Sequence, residues 1–294
     1  IKVYDSEVKT YCTSMEMGGF SITLLLLDDE LKGYLDAPCY SPFYAKGEFS
    51  GTTKLVASEE EEELEFDEND VKPAQIVRSK EGVLTELNAE DTRNMLIYVA
   101  DKVIAQKPYL TEIDSAIGDG DHGIGMCGGM QKAKKKLVKM EGEANVYQLF
   151  ETAGLAMLNS MGGASGVIFG SLYLEGAKGM DAKSFLTPAD LAVMERKSLV
   201  NIQKRGGAHV GDKTMVDALV PAVEALEKNQ NASLLEALKA AEEGARQGME
   251  DTKKYIAKFG RAKSLAPEDV IGHQDAGATS VYLIFQGMRE FVEG

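Results

Sequence analysis

With 294 residues the chain is long enough for one large domain or two small ones, and without tryptophan its core must be mostly aliphatic and methionine. The net charge is −15, and no basic face offsets it, which argues against a nucleic-acid role. The longest apolar run, Phe20 to Leu27, is too short for a bilayer and no signal peptide is visible. The three cysteines lack metal or redox spacing, so a reducing, cytoplasmic setting is expected.

Residues 1 to about 40 read as strand, turn, strand and short helix. "KVYDSEVKTYCTSM" leans to strand, Gly18-Gly19 is a turn, and "FSITLLLL" is a buried strand. "DDELKGYL" opens with acids that suit a helix start. Residues 41–83 form an expected linker, with prolines, glycines and the acidic run Glu59 to Asp70, whose charge keeps it solvated. The chain starts at Ile1 and runs straight into strand-like sequence, which suggests a piece of a longer protein.

From residue 84 onward the pattern is helical. Met95, Leu96, Val99 and Val103 fall at helical spacing. Further helices are expected in "NVYQLFETAGLAMLNSM", "TPADLAVMERKSLVNIQK", "TMVDALVPAVEALEKN", "SLLEALKAAEEGARQGMEDTKKYIAKF" and "ATSVYLIFQGMREFV". Short breaks between them make neighbouring helices antiparallel, so residues 84–294 read as an all-α bundle. The lysine cluster of Lys132, Lys134, Lys135, Lys136 and Lys139 reads as the wet face of one helix.

The stretch "IGDGDHG", Ile117 to Gly123, has the glycine spacing of a dinucleotide-binding turn. Two observations oppose that reading. The preceding "YLTEIDSAI" is helical rather than extended, and Asp119 and Asp121 would repel a pyrophosphate. With Asp114 the acids lie at i, i+5 and i+7. On one continuous helix Asp114 and Asp119 would diverge by roughly 140°. Gly118 and Gly120 break the helix and let the chain fold back. Three carboxylates around one tight turn suit a hard cation such as Mg²⁺ or Ca²⁺, and the metal could in turn hold phosphates. An Asp-Gly-rich surface turn with solvated acids is the plain alternative. The EF-hand is excluded, because the closing Glu is missing.

"GGAHVGDKT", Gly206 to Thr214, imitates a P-loop, but Asp212 intrudes and no strand leads in. It reads instead as a helix start with Asp212 as N-cap. "GGASGVIFG" and "GHQDAGATS" are two more Gly-rich helix starts. Helix N-termini bind anions, and several such starts beside a carboxylate loop suggest loops converging on a nucleotide. The histidines, His122, His209 and His273, form no catalytic triad by spacing.

"DSAIGDGDHG", "MGGASG", "GDKTMVDALVPA" and "GHQDAGATSV" resemble, in this order, the nucleotide-binding L-type domain of dihydroxyacetone kinases. "TSMEMGGFSITLLLLDDELKGYLDAP" is similar to the C-terminal end of their ketose-binding K-type domain. The resemblance implies a mainly α fold, an antiparallel eight-helix barrel, with a small N-terminal α/β remnant. It implies two Mg²⁺ ions on Asp114, Asp119 and Asp121, bridging the phosphates of ATP or ADP. It also implies phosphate contacts from His122, Gly125, Ala164, Ser165 and Arg261, with Gly206, Met215, Asp275 and Gly277 lining the rest of the nucleotide site. Gly125 departs from the family, which often carries Asn or Thr there. Most of the K-type domain, with its ketone-binding histidine, is missing from the sequence. The expected activity is phosphoryl transfer from ATP to a small ketose, with a K-type domain or a second copy of the chain as partner. The alternatives are an ADP-carrying subunit recharged by a phosphotransferase, and a non-catalytic relative.

Overall fold

The computed structural model describes residues 28–37, 39–41, 44–46, 84–140 and 145–294. The strands expected before residue 28 and the acidic run lie outside the described residues. The chain divides into two compact units, Ile1–Glu68 and Asn69–Gly294.

In the first unit the expected helix is present as α1 (Asp29–Asp36). Asp28 caps it by accepting the Leu31 amide at 2.8 Å. A short antiparallel hairpin follows, β1 (Cys39–Ser41) with β2 (Tyr44–Lys46), and it crosses the expected linker boundary at residue 40.

The second unit is mainly helical. After β3 (Leu87–Asn88) come α2 (Ala89–Ala105), α3 (Lys107–Ile117), α4 (His122–Lys139), α5 (Val146–Ser160) and α6 (Gly163–Ala177). Then follow β4 (Phe185–Leu186), α7 (Pro188–Gly206), α8 (Met215–Lys228), α9 (Leu234–Asp251), the single turn α10 (Pro267–Val270) and α11 (Ala276–Glu293). Eight of these close a ring among the described residues: α2, α4, α5, α6, α7, α8, α9 and α11 each pack on the next, and α11 returns to α2. Short connections make sequential neighbours antiparallel. This is the antiparallel eight-helix barrel expected from sequence. The wall is lined by aliphatic and methionine side chains, including Leu110, Met126, Leu137, Leu149 and Met157, all fully buried, with Phe150, Phe285 and Phe291 as the largest pieces. No helix among the described residues is long and apolar enough to cross a membrane.

The ring gives the barrel two ends. At one end β3 pairs with β4, just ahead of α2 and α7, and the Val146 amide at the start of α5 donates to the Lys183 carbonyl. Every helix that starts on this alternation is capped by its own side chain: α2 by Asn88, α5 by Asn145, α7 by Thr187 and α9 by Ser233, the last three as capping boxes. At the other end start α4, α6, α8 and α11, the helices behind the four Gly-rich motifs.

Candidate metal and nucleotide site

The site is assembled by the turn between α3 and α4. Asp114 sits in the last turn of α3, and Gly118 ends that helix with its amide bonded to the Asp114 carbonyl. A Cβ on Gly118 would lie 2.4 Å from the Asp114 carboxylate, so only glycine leaves that carboxylate its place. Gly120 has φ of 75°, the left-handed region that glycine adopts without cost. The chain therefore doubles back, and Asp119 and Asp121 return beside Asp114. One carboxylate oxygen from each lies within 4.8 Å of the others. The divergence that a continuous helix would impose is removed by the two glycines.

The electrostatics of this trio are unfavourable without a cation. Asp121 is held above the usual carboxylate range by desolvation and then by the charges of Asp119 and Asp114, with Arg261 opposing. Arg261 is the cation that reaches the cluster, Nε to Asp119 Oδ2 at 2.9 Å. It opens a 3-10 turn, Arg261–Ser264, on a long loop between α9 and α11. An all-oxygen, multiply negative donor set of this kind fits a hard divalent ion.

Around the acids stand the starts of four helices. At α4 the N-cap Asp121 makes no side-chain cap, and at α6 the N-cap Gly162 has no side chain to make one. Ala164 and Ser165 lie in that uncapped first turn of α6, Ala164 exposed and Ser165 half-buried. Gly125 lies on the second turn of α4, its amide bonded to the Asp121 carbonyl, and a Cβ there would meet nothing within 4 Å.

The starts of α8 and α11 touch: a Cβ on Gly277 would lie 3.2 Å from the Met215 Cβ and 3.0 Å from Asp275 Oδ2. Asp275 caps α11 by accepting the Ala278 amide at 2.7 Å, and burial raises its pKa to about 7. Gly206 is the last residue of α7, exposed, with Gly207 turning the chain away at φ 71°.

His122 does something the spacing did not suggest. Its backbone amide donates to Asp114 Oδ2 at 3.1 Å, while its ring is buried, 2.8 Å from Ser280 Oγ on α11 and beside Phe169 of α6. Burial lowers its pKa to about 4, so the ring is neutral at physiological pH. It joins α4, α6 and α11 at the site end. His209 and His273 are both exposed.

One helix start is built differently from the sequence expectation. Thr214, not Asp212, caps α8, in a capping box with Asp217. Asp212 lies two residues further out, where it accepts the His209 amide at 2.8 Å and pairs with Lys258 at 2.5 Å. The extra residue is Lys213, which is buried and left-handed at φ 59°. Its role was illegible in the sequence, since "GDKT" reads only as a failed P-loop; a lysine without a phosphate loop was the one available signal.

The DAK2 domain family matches residues 116–290. The chain belongs to that family. The DAK2 domain thus covers the barrel from the end of α3 to the last turns of α11. The chain is 38% identical over 195 residues to the ADP-binding subunit of the PEP-dependent dihydroxyacetone kinase of Escherichia coli, covering 66% of this chain and 92% of that subunit. It is 35% identical over 296 residues to the L-erythrulose kinase of Pectobacterium atrosepticum, covering 98% of this chain and 47% of that enzyme. The chain therefore spans about half the length of that kinase. Its fold is similar to that of the dihydroxyacetone kinase from C. freundii solved with AMP-PNP and Mg²⁺, at a TM-score of 0.52 and 19% identity, over 90% of this chain and 42% of that one.

Proposed function

We propose that this chain is the nucleotide-binding half of an ATP-dependent kinase of small ketoses, with Asp114, Asp119 and Asp121 holding two Mg²⁺ ions against the nucleotide phosphates. The observation that carries the reading is the carboxylate trio, gathered within 4.8 Å around the α3–α4 turn and paired with Arg261. Bound there, the cations would supply positive charge against the phosphates and offset the charge that develops in phosphoryl transfer.

The chain's own residues supply positioning. The first-turn amides of α4 not taken by Asp114, and those of α6, with the Ser165 hydroxyl, offer donors to phosphate oxygens. Arg261 pairs with Asp119 at the trio, from where it can pass to a phosphoryl group. Met215, Gly277 and Gly206 leave a low-relief wall for the rest of the nucleotide. His122 contributes through its backbone and by locking three helices together.

Alignment across 98% of the chain with an L-erythrulose kinase about twice its length supports the first reading, with ATP as donor and a K-type domain as the ketose-binding partner. The second reading, an ADP-carrying subunit recharged by a phosphotransferase, is favoured by the 38% identity to the Escherichia coli subunit. The two separate in one experiment. The chain is joined to a complete K-type half and supplied with dihydroxyacetone or erythrulose, using either ATP or a phosphotransferase donor. Ketose phosphate formed from ATP supports the first reading; turnover only with the phosphotransferase donor supports the second. No Mg-dependent ATP or ADP binding by calorimetry would reject both.

A further inference from the structure

Arg261 rides on a loop that has little else to hold it. Between Lys253 and Gln274 only Ala257 and Val270 are buried, and its ion pair with Asp119 is exposed on both sides. Exposed pairs of this kind contribute little to holding a chain in place. A segment with so few buried apolar contacts opens easily unless polar bonds fasten it.

Those bonds converge on Asp212 and Lys213, the two residues ahead of the Thr214 cap of α8. The Lys213 Nζ donates to the Thr252 carbonyl at 2.6 Å and also to the His273 carbonyl. Thr252 and His273 are the two feet of the loop. Each foot is tied further: the Asp275 amide donates to Thr252 Oγ1 at 2.9 Å, and the Gly272 amide donates to the Lys253 carbonyl at 2.7 Å. Asp212 holds the outgoing limb through the Lys258 amide and the Lys258 ammonium.

Lys213 is 2% exposed. It occupies the left-handed region, which side-chain-bearing residues enter only at an energetic cost. A buried ammonium is itself expensive unless it is fully bonded. Both costs are met where one cation closes the base of the arginine loop.

We infer that Lys213 is a positioning residue: by stapling the feet of the 253–274 loop it sets where Arg261 meets the acidic trio. The inference rests on the nucleotide-site reading above for its effect on binding. Its effect on the loop stands without that reading.

The loop carries its own reporters, since Lys253, Lys254, Lys258, Arg261 and Lys263 are trypsin sites. The whole chain is made as Lys213→Met, as Arg261→Ala and as the double variant. In Lys213→Met, cleavage within 253–263 should accelerate about tenfold, with helix content and cleavage elsewhere unchanged. Mg-ATP affinity should fall about tenfold in each single variant, and the double variant should be no weaker than either, because both changes act through one group. Unchanged loop cleavage, or losses that add in the double variant, would overturn the staple.

Should Lys213→Met not fold, hydrogen exchange on the unaltered chain decides. The Lys258 and Gly272 amides should be protected well above those of residues 259–265, and exchange at the open-chain rate would overturn the inference. If the unaltered chain binds no Mg-nucleotide, the functional reading fails, while proteolysis and exchange still judge the staple.

Discussion

The two ends of the barrel treat their helix starts differently. Every helix start leaves backbone amides without intrahelical partners. At the end where β3 meets β4, Asn88, Asn145, Thr187 and Ser233 fill that need from within the chain, and Asp190 adds Thr187, Lys183 and Tyr147 to the same network. At the other end Thr214 and Asp275 cap α8 and α11, but α6 begins without a side-chain cap and the first amide of α4 is taken by Asp114, one of three carboxylates that crowd there beside the exposed Arg261. The closed end is self-sufficient. The open end keeps the uncapped start of α6 beside the acidic trio, an arrangement that on the proposed reading a metal-bound phosphate would complete.

The comparison breaks most sharply at the acids. Asp119→Asn should reduce Mg-nucleotide affinity by roughly 1,000-fold, because one of three anionic ligands is lost while its neighbours stay charged. Stability should hold or rise slightly, since the substitution relieves repulsion among the three. Calorimetry with and without chelator, beside thermal unfolding, measures both. ATP bound equally tightly with the metal chelated would remove the trio from the site.

Between the ends Glu195 tests whether any unfinished carboxylate signals a ligand. It lies inside α7, 3% exposed, with Oε2 lacking a hydrogen-bond partner. Burial raises its pKa from the usual 4.5 to about 8, so at neutral pH it is mostly a neutral acid and needs no counter-ion. The folded chain holds a proton that the unfolded chain releases. This group's contribution to stability is complete below about pH 4.5 and is lost as pH rises through about 8. Glu195→Gln should therefore lie within about 1 kcal/mol of the parent near pH 5 and exceed it by about 4–5 kcal/mol at pH 9. Urea unfolding at the two pH values checks this, and parallel pH profiles would show that the carboxyl finds compensation in the fold.

At the closed end the expected effects are purely structural. Thr187→Ala removes the hydroxyl that accepts the Asp190 amide and donates to its carboxylate. It should cost about 1 kcal/mol of stability and leave Mg-nucleotide affinity unchanged. A loss of affinity in a folded variant would mean that the two ends are coupled through the barrel wall.

The difference in legibility between the ends has the same origin. Helices were readable because apolar spacing and capping residues are local signals, and the barrel followed from short loops and the family motifs. The acid trio was readable because Gly118 and Gly120 announce a reversal that brings i, i+5 and i+7 together. The partner of the His122 ring, Ser280, lies 158 residues away, and nothing local points to it. The same holds for Lys213, whose bonds go to backbone carbonyls that carry no sequence signature. Asp212 was misplaced as a cap because Asp, Lys and Thr in succession offer two capping residues, and only the left-handed turn at Lys213 selects Thr214.

The smallest and most discriminating effect concerns Gly125. This glycine lies inside α4, where it costs about 0.5–1 kcal/mol relative to a residue with a side chain, and a Cβ there would meet nothing. No packing demand explains it. If the open end receives phosphate, a short polar side chain at this position would project from the second turn of α4 toward the uncapped helix starts. Gly125→Asn should then leave stability within about 0.5 kcal/mol, since the helix gain is offset by the modest helix propensity of Asn. Mg-nucleotide affinity should rise severalfold, the size of one added hydrogen bond to a charged oxygen. Gly125→Ala is the control: it shares the backbone gain and should leave affinity unchanged. Equal affinity in the Asn and Ala variants would show that position 125 faces solvent rather than phosphate, and would narrow the anion-binding surface to α6 and Arg261.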